Sequence, residues 1–203
     1  MALVWIKHVV NNSEDKYLKL KQTDPSKNPV VHTATKFWRL DSNGLPKVGQ
    51  EEILKTDLQI GKDEWFGLGP GGEIRCDWFV IPWSNTEGSV TAIASKDIRE
   101  RPTSTDGLVF HVSPEGGGKR DYLRFYKRNL SPLGEPLLVG DAGPLNSTEG
   151  RLVLNDEGFY YQITASNSAG SDVGEFINTW GPVLLSALLQ GKGGGSPPPV
   201  KSP

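Results

Sequence analysis

Glycine and proline divide this chain of 203 residues into short segments. Their frequency limits the length of helices and strands, and it constrains the fold more than any other feature of the sequence. The sequence holds 24 glycines and 15 prolines, which interrupt helices and long strands alike. Between them lie short runs rich in β-branched and aromatic residues, which are typical of strands. The segments that we predict as strands are 4–10, 17–21, 36–40, 52–60, 64–67, 73–81, 89–95, 108–113, 122–128, 137–139, 151–154, 159–165 and 173–177.

The connections between these segments are mostly short turns, without the helices that parallel crossovers need. We therefore predict an all-β fold, an antiparallel β-sandwich over residues 1–178, with a barrel as the alternative. A division into two domains is the other alternative, near 87–106, a charged segment that contains Pro102. The glycine-rich stretch 67–72 is expected as a hairpin loop, because a strand follows it where a phosphate-binding motif needs a helix.

The C-terminal region departs from the strand pattern. Residues 179–191 are predicted as a short apolar helix, because Pro182 stands near the start, leucines recur at i,i+4 within 182–190, and Gly191 follows. This helix either packs on the sandwich or docks a partner protein, a second copy or a membrane. Residues 192–203 are a Gly/Ser/Pro tail that we expect to be disordered.

Composition narrows the class of partner and the compartment. A net charge of −2 at pH 7 gives no global attraction to nucleic acid, so we expect no nucleic-acid partner. The single cysteine, Cys76, excludes an intrachain disulfide framework. We find neither a signal peptide nor a run long enough to span a bilayer, so the default expectation is a cytoplasmic protein, with leaderless export as the alternative.

Residues that would support an enzyme or a metal site are scattered. The three histidines, His8, His32 and His111, lie far apart and form no metal-ligand spacing. His8 and His111 fall inside predicted strands, where a structural role is expected. Cys76 has apolar neighbours at i±2, which favours a buried and unreactive thiol. We therefore expect no catalytic residue, no cofactor and no metal, with a hydrolase whose site is assembled from distant carboxylates as the alternative.

The segment 121–128 is the strongest binding signal. At a two-residue period its apolar side chains, Leu123 and Phe125, fall on one face of a strand, and its phenols and guanidinium groups fall on the other. Arginine beside tyrosine can hold phosphate, sulfate or carboxylate groups while the ring packs on a sugar or apolar surface. The alternative is a solvated strand face with cross-strand partners.

Tryptophan supplies the second binding signal, with six residues in the chain. Trp65 and Trp83 lie beside loop signals, and we expect both to be exposed for stacking on sugars or for contact with a membrane interface. The alternative is that they fill the core.

These signals favour a non-enzymatic protein that binds a membrane lipid headgroup or a glycan. The residues expected to bind this ligand are Trp65, Trp83, Tyr122, Arg124, Tyr126 and Arg128. The alternative is a structural or interaction module that docks a partner protein, or a second copy, through the apolar segment 182–190.

Two partial resemblances point to a β-sandwich. The segments 5–7, 11–12, 58–64 and 77–84 resemble those of aegerolysins, within residues 1–95. That resemblance implies a leaderless sandwich that recognises membrane lipids and joins a partner protein in pore formation, as a membrane-active toxin component. Residues 156–170 are similar to the tyrosine-corner stretch of immunoglobulin-type domains, although Gln162 replaces the cysteine and one extra residue precedes Asn167. The second resemblance implies only the sandwich, with Tyr160 bonding back to the backbone.

Overall fold

The structure is a computed structural model that describes residues 2–22, 29–47, 51–61, 63–80, 90–102, 108–115, 120–127, 137–141, 146–166 and 178–180. All regular elements within these ranges are strands, so the described part of the chain is all-β, as predicted. The thirteen strands are β1 Ala2–Asn11, β2 Tyr17–Gln22, β3 Val30–Arg39, β4 Glu52–Leu54, β5 Leu58–Gln59, β6 Trp65–Val80, β7 Val90–Ser95, β8 Leu108–Glu115, β9 Arg120–Lys127, β10 Leu137–Asp141, β11 Asn146–Asn155, β12 Gly158–Ser166 and β13 Asn178–Trp180.

The strands form one sheet in the order β10-β9-β8-β7-β2-β6-β1-β11-β12-β13, and β3 pairs with β4, β5 and β6. Pairing among the described strands is antiparallel except between β1 and β11, which run parallel. The expectation of a purely antiparallel sheet is therefore wrong at this pair. Short hairpin turns force antiparallel pairing, but β1 and β11 are distant in sequence and no such turn joins them.

The turn between β1 and β2 is built around Asn11, which is fully buried. Its side-chain amide donates hydrogen bonds to the carbonyl oxygens of Lys16 at 2.7 Å and Leu68 at 3.0 Å. Its side-chain oxygen accepts hydrogen bonds from the backbone N–H and the hydroxyl of Ser13. Asn11 therefore closes the turn between β1 and β2 and attaches it to β6, with every polar atom of the side chain satisfied.

The glycine-rich stretch lies inside β6, so the prediction of a hairpin loop at 67–72 is wrong. Thr35 pairs with Glu73 and Phe37 pairs with Leu68, which leaves residues 69–72 opposite Lys36 alone. Gly71 has φ +71°, and a Cβ at Gly72 would come within 2.7 Å of the Thr35 carbonyl oxygen. Glycine thus permits a bulge, where the strand bends instead of reversing. The part of β6 before the bulge pairs with β2, and the part after it pairs with β1.

One large core lies beneath the centre of the sheet. It combines apolar side chains of β1, β2, β3, β6, β7, β11 and β12, with Trp78, Tyr161, Phe37 and Phe66 the largest of them. Tyr161 lies directly over Gly150 of the neighbouring strand, where a Cβ would overlap its phenol ring.

A second, smaller cluster lies on the opposite face of β2 and contains Trp38, Leu40, Trp65, Ile93 and Ile98. Lys19 is fully buried beside this cluster. Its ammonium group donates hydrogen bonds to the carbonyl oxygens of Gly44 and Ile98, each at 2.8 Å, and to that of Glu100. The alternation of Leu18 and Leu20 with Lys19 and Lys21 is typical of a half-buried strand, but Lys19 is buried because two turns cover that face.

The region around 87–106 contains β7, which pairs with β2 on one side and β8 on the other. At the C-terminus, Asn178–Trp180 form β13 beside β12. Residues 179 and 180, with which the predicted helix 179–191 begins, are therefore in a strand. The rest of that helix, the segment 182–190, the tail 192–203 and the predicted strand 173–177 lie outside the described residues.

Candidate functional site

Trp65 is buried, with 5% of its surface exposed. It packs in the second core cluster, and the Lys21 ammonium lies 5.7 Å from the centroid of its ring. The expectation that Trp65 is exposed for stacking is therefore wrong. The glycine-rich stretch that follows Trp65 indicated an exposed loop. Trp65 is buried instead because the turns that follow β3 and β7 cover this part of β6.

The segment predicted to carry the tyrosine–arginine face is a strand, β9, paired with β8 and β10. Tyr122, Arg124 and Tyr126 lie on it, but their side chains lie outside the described part of the structure. Trp83 and Arg128 are outside the described residues altogether.

The described surface with the most distinctive charge pattern is the outer face of β3, β6, β1, β11 and β12. One row of residues crosses all five strands in register. We call it the basic row, and its members are Thr33, Arg75, His8, Arg151 and Gln162. Each member lies beside a core residue in its own strand, and alternation along a strand therefore directs these side chains away from the core.

A bulge in β1 helps to place this row. Ile6 and Val9 are both in the core with no exposed surface, and the pairing register shifts between Ile6 and His8. Two consecutive residues, Lys7 and His8, therefore lie on the outer face, where regular alternation would allow only one.

The two arginines of the basic row lack acidic partners. Within the described part of the chain, neither Arg75 nor Arg151 forms a salt bridge. Arg151 donates one hydrogen bond of 2.6 Å to Gln162, while its Nε is buried with no hydrogen-bond partner. Neighbouring strands lie about 4.8 Å apart, so the two guanidinium groups can both approach an anion placed above His8 on β1.

His8 lies between these arginines and is 2.8 Å from a Glu73 carboxylate oxygen through its Nε2. Burial lowers the pKa of His8, and the positive charges of Arg75 and Arg151 contribute to the lowering, while the hydrogen bond to Glu73 opposes it. His8 is paired, as expected for a structural histidine, and it adds a hydrogen-bonding group to the row.

Lys7 is the centre of a second group of charges on the same face. Its Nζ lies 2.6 Å from Asp77 Oδ1, 4.0 Å from Glu149 Oε1 and 4.5 Å from the centroid of the Trp5 ring. The Lys7 hydrogen bond lowers the pKa of Asp77, and the hydrogen bond from His32 adds to the effect. We call Trp5, Lys7, Asp77 and Glu149 the Lys7 cluster.

His32 extends this cluster toward the sheet edge. Its Nδ1 lies 2.9 Å from Asp57 Oδ1 and its Nε2 lies 3.1 Å from Asp77 Oδ2. Ionised carboxylates only accept hydrogen bonds, so both ring nitrogens must carry protons to satisfy this geometry. The hydrogen bonds to Asp57 and then Asp77 accordingly raise the pKa of His32.

Cys76 is buried in the core with Ile74 and Trp78, as predicted. Burial raises the pKa of its thiol to about 12, so the reactive thiolate is scarce at neutral pH. No cluster of three or more metal-ligating side chains occurs in the described ranges. Those same ranges contain no helix long and apolar enough to cross a membrane.

Comparison with known proteins returned no matching family model, no matching curated protein and no matching solved structure. Sequence reasoning missed the basic row because residues 8, 75 and 151 come together only through strand pairing. The one local signal was the alternation of charged and apolar residues at 73–77.

Proposed function

We propose that this protein is a non-enzymatic binding protein that recognises an anionic group, a phosphate or sulfate, of a membrane lipid headgroup or a glycan. The observation that carries the proposal is the pair of arginines without acidic partners on either side of His8. The strand register places Arg75 and Arg151 on the two strands that flank β1, about 10 Å apart at the backbone, and an anion between them would be attracted by both charges. Arginine also offers the paired N–H groups that match phosphate and sulfate oxygens.

The character of the outer face supports surface recognition. The described residues of this face are mostly polar or charged. The large hydrophobic residue that is highly exposed within the described ranges, Ile53 at 72%, lies on β4 and not on this face. A polar sheet face suits contact with headgroups or sugar hydroxyls at a surface. The core shared by β1, β6 and β11 with β2 and β7 supports the further proposal that the sheet folds back into a sandwich.

The ligand class is the one expected from the sequence, and the proposed contacts lie on the basic row. Strand β9, with Tyr122, Arg124 and Tyr126, remains a proposed second contact. Lipid recognition also accords with what the resemblance to aegerolysins implies.

The test is binding of the full-length protein to anionic phospholipid vesicles and to an array that includes sulfated glycans. We expect the double variant Arg75→Ala/Arg151→Ala to lose about tenfold or more in affinity, since hydrogen bonds to charged groups contribute about 1.5–3 kcal/mol. Binding should also weaken as salt is raised. Arg99→Ala/Arg101→Ala, which removes two exposed arginines elsewhere on the surface, is the charge-matched control and should bind like the wild type.

Thermal unfolding of each variant would establish that the fold is intact. If the wild type binds neither panel, or if Arg99→Ala/Arg101→Ala weakens binding as much as Arg75→Ala/Arg151→Ala does, the basic row is not a specific anion site.

A further inference from the structure

Strand β4 is short and lies at an edge of the sheet. Within the described part of the chain it pairs with β3 and with no other strand. An edge strand directs half of its backbone N–H and C=O groups away from its neighbour, where another strand can pair with them. Ile53, in the middle of β4, is the large hydrophobic side chain that is highly exposed in the described ranges. The edge of β4 therefore offers both backbone groups for pairing and an apolar side chain for contact.

The charges beside Ile53 are arranged symmetrically about it. Glu51 precedes it by two residues and Lys55 follows it by two, so the two-residue period of an extended chain places the three side chains on one face. All three are exposed, whereas Leu54 is buried in the large core. Among the described residues, neither Glu51 nor Lys55 forms a salt bridge. Opposite charges thus flank the exposed isoleucine at equal distances.

We propose that β4 is a dimer contact, through which two copies of this chain pair their β4 strands antiparallel about a twofold axis at Ile53. In that register the two Ile53 side chains lie opposite each other, and each Glu51 lies opposite a Lys55. Cross-strand pairs of opposite charge stabilise a sheet, and like charges opposite each other destabilise it. The contact uses no residue of the basic row, so it does not depend on the proposed anion site.

The symmetry of the charges favours a second copy over any other partner. A twofold interface must be self-complementary, because the same surface patch is used by both copies. The segment 51–55 meets this requirement, since reversal of its direction exchanges Glu51 with Lys55 and leaves Ile53 in place. A shift of the register by two residues in one direction would place Glu51 opposite Asp57, and a shift in the other would place Ile53 opposite Glu51. The register centred on Ile53 is therefore the favoured one.

The other face of β4 does not oppose this contact. Glu52 lies on that face with its Oε2 at 3.4 Å from the Nε of Arg39, so it brings no unpaired charge to the second copy. Two strands this short bury less than the roughly 1,200 Å² at which stable interfaces begin. Because association also costs translational and rotational freedom, we expect a weak dimer whose population rises with protein concentration.

Charge reversal in the full-length chain tests both the contact and its register. Lys55→Glu gives a copy two negative charges beside Ile53, and Glu51→Lys gives it two positive charges. We expect each variant alone to dimerise about tenfold or more weakly than the wild type in analytical ultracentrifugation, because both charged pairs become repulsive. An equimolar mixture of the two variants should form a heterodimer about as tight as the wild-type dimer, because every acidic side chain then lies opposite a basic one.

Lys96→Glu makes the same charge change at an exposed position elsewhere, and this matched control should dimerise like the wild type. Thermal unfolding would establish that each variant is folded. A wild type that stays monomeric at millimolar concentration refutes the dimer, and a lower melting temperature of Ile53→Asp would then show that another segment of the same chain covers β4. A wild-type dimer that Lys55→Glu leaves intact would place the contact elsewhere, for example in 182–190, and also refutes it. Failure of the two charge variants to associate with each other contradicts the antiparallel register.

Discussion

Two histidines on one sheet face have opposite environments, and this difference has a measurable consequence. Hydrogen bonds to Asp57 and Asp77 raise the pKa of His32, whereas burial lowers the pKa of His8. In a pH titration followed by NMR, we expect His32 to titrate above 6.5 and His8 below it. The stabilising contribution of His32 is complete below pH 6.5 and is lost as pH rises through its raised pKa, while protonation of His8 destabilises the fold as pH falls from 6.5.

Asp57→Asn is the control for this prediction. It should return the pKa of His32 toward 6.5 and leave His8 unchanged, because Asp57 contacts only His32 of the two. If both rings titrate together, the arrangement of carboxylates around His32 is incorrect.

Single residues were predictable where the local pattern decides the environment, as for Cys76 between two apolar neighbours. They were not predictable where another part of the chain covers a face. Trp65 and Lys19 both lie under turns that follow distant strands, and nothing in their own segments indicates that cover.

At the scale of elements, most strands were predictable because alternation and turn residues are local signals. The continuity of β6 was not, since the segment 69–72 has the composition of a hairpin turn but lies opposite Lys36, whose φ is +50°. This backbone conformation is unfavourable for a lysine, and the Lys36 ammonium donates a 2.6 Å hydrogen bond to the Pro70 carbonyl oxygen. The pairing of two strands, which sequence cannot show, distinguishes the bulge from a turn.

Lys19 joins three elements and should be essential for stability. We expect Lys19→Met to lower the free energy of unfolding by about 2–4 kcal/mol, since two buried carbonyl oxygens and a third that is partly buried lose the Lys19 donor. Chemical denaturation would measure this loss. Lys21→Met, two residues along the same strand face, is the control and should cost about 1 kcal/mol or less because its contact with Asp63 is long and partly exposed. Equal losses in the two variants would contradict the role assigned to Lys19.

At the scale of the whole molecule, the sequence predicts the all-β class but neither the strand order nor the basic row. Both depend on the parallel pairing of β1 with β11, which places Arg151 beside His8. Turn chemistry orients strands that are close in sequence, and no comparable rule selects a neighbour this distant. The residues of the basic row come together only through this pairing, so the sequence could not predict which residues form the candidate site.

The same pairing makes the C-terminal strands part of the folding unit. A chain ending at residue 141 would lack β11 to β13 and the buried side chains Leu152, Leu154, Phe159 and Tyr161. Burial of each such side chain contributes about 1.5–3 kcal/mol, and their sum approaches the whole stability of a typical domain, about 5–15 kcal/mol. We expect this truncated chain to show no cooperative thermal transition by circular dichroism and to bind a hydrophobic dye. Removal of residues 192–203 alone should leave the transition unchanged, and a cooperative transition in the shorter chain would show that β1 does not need β11.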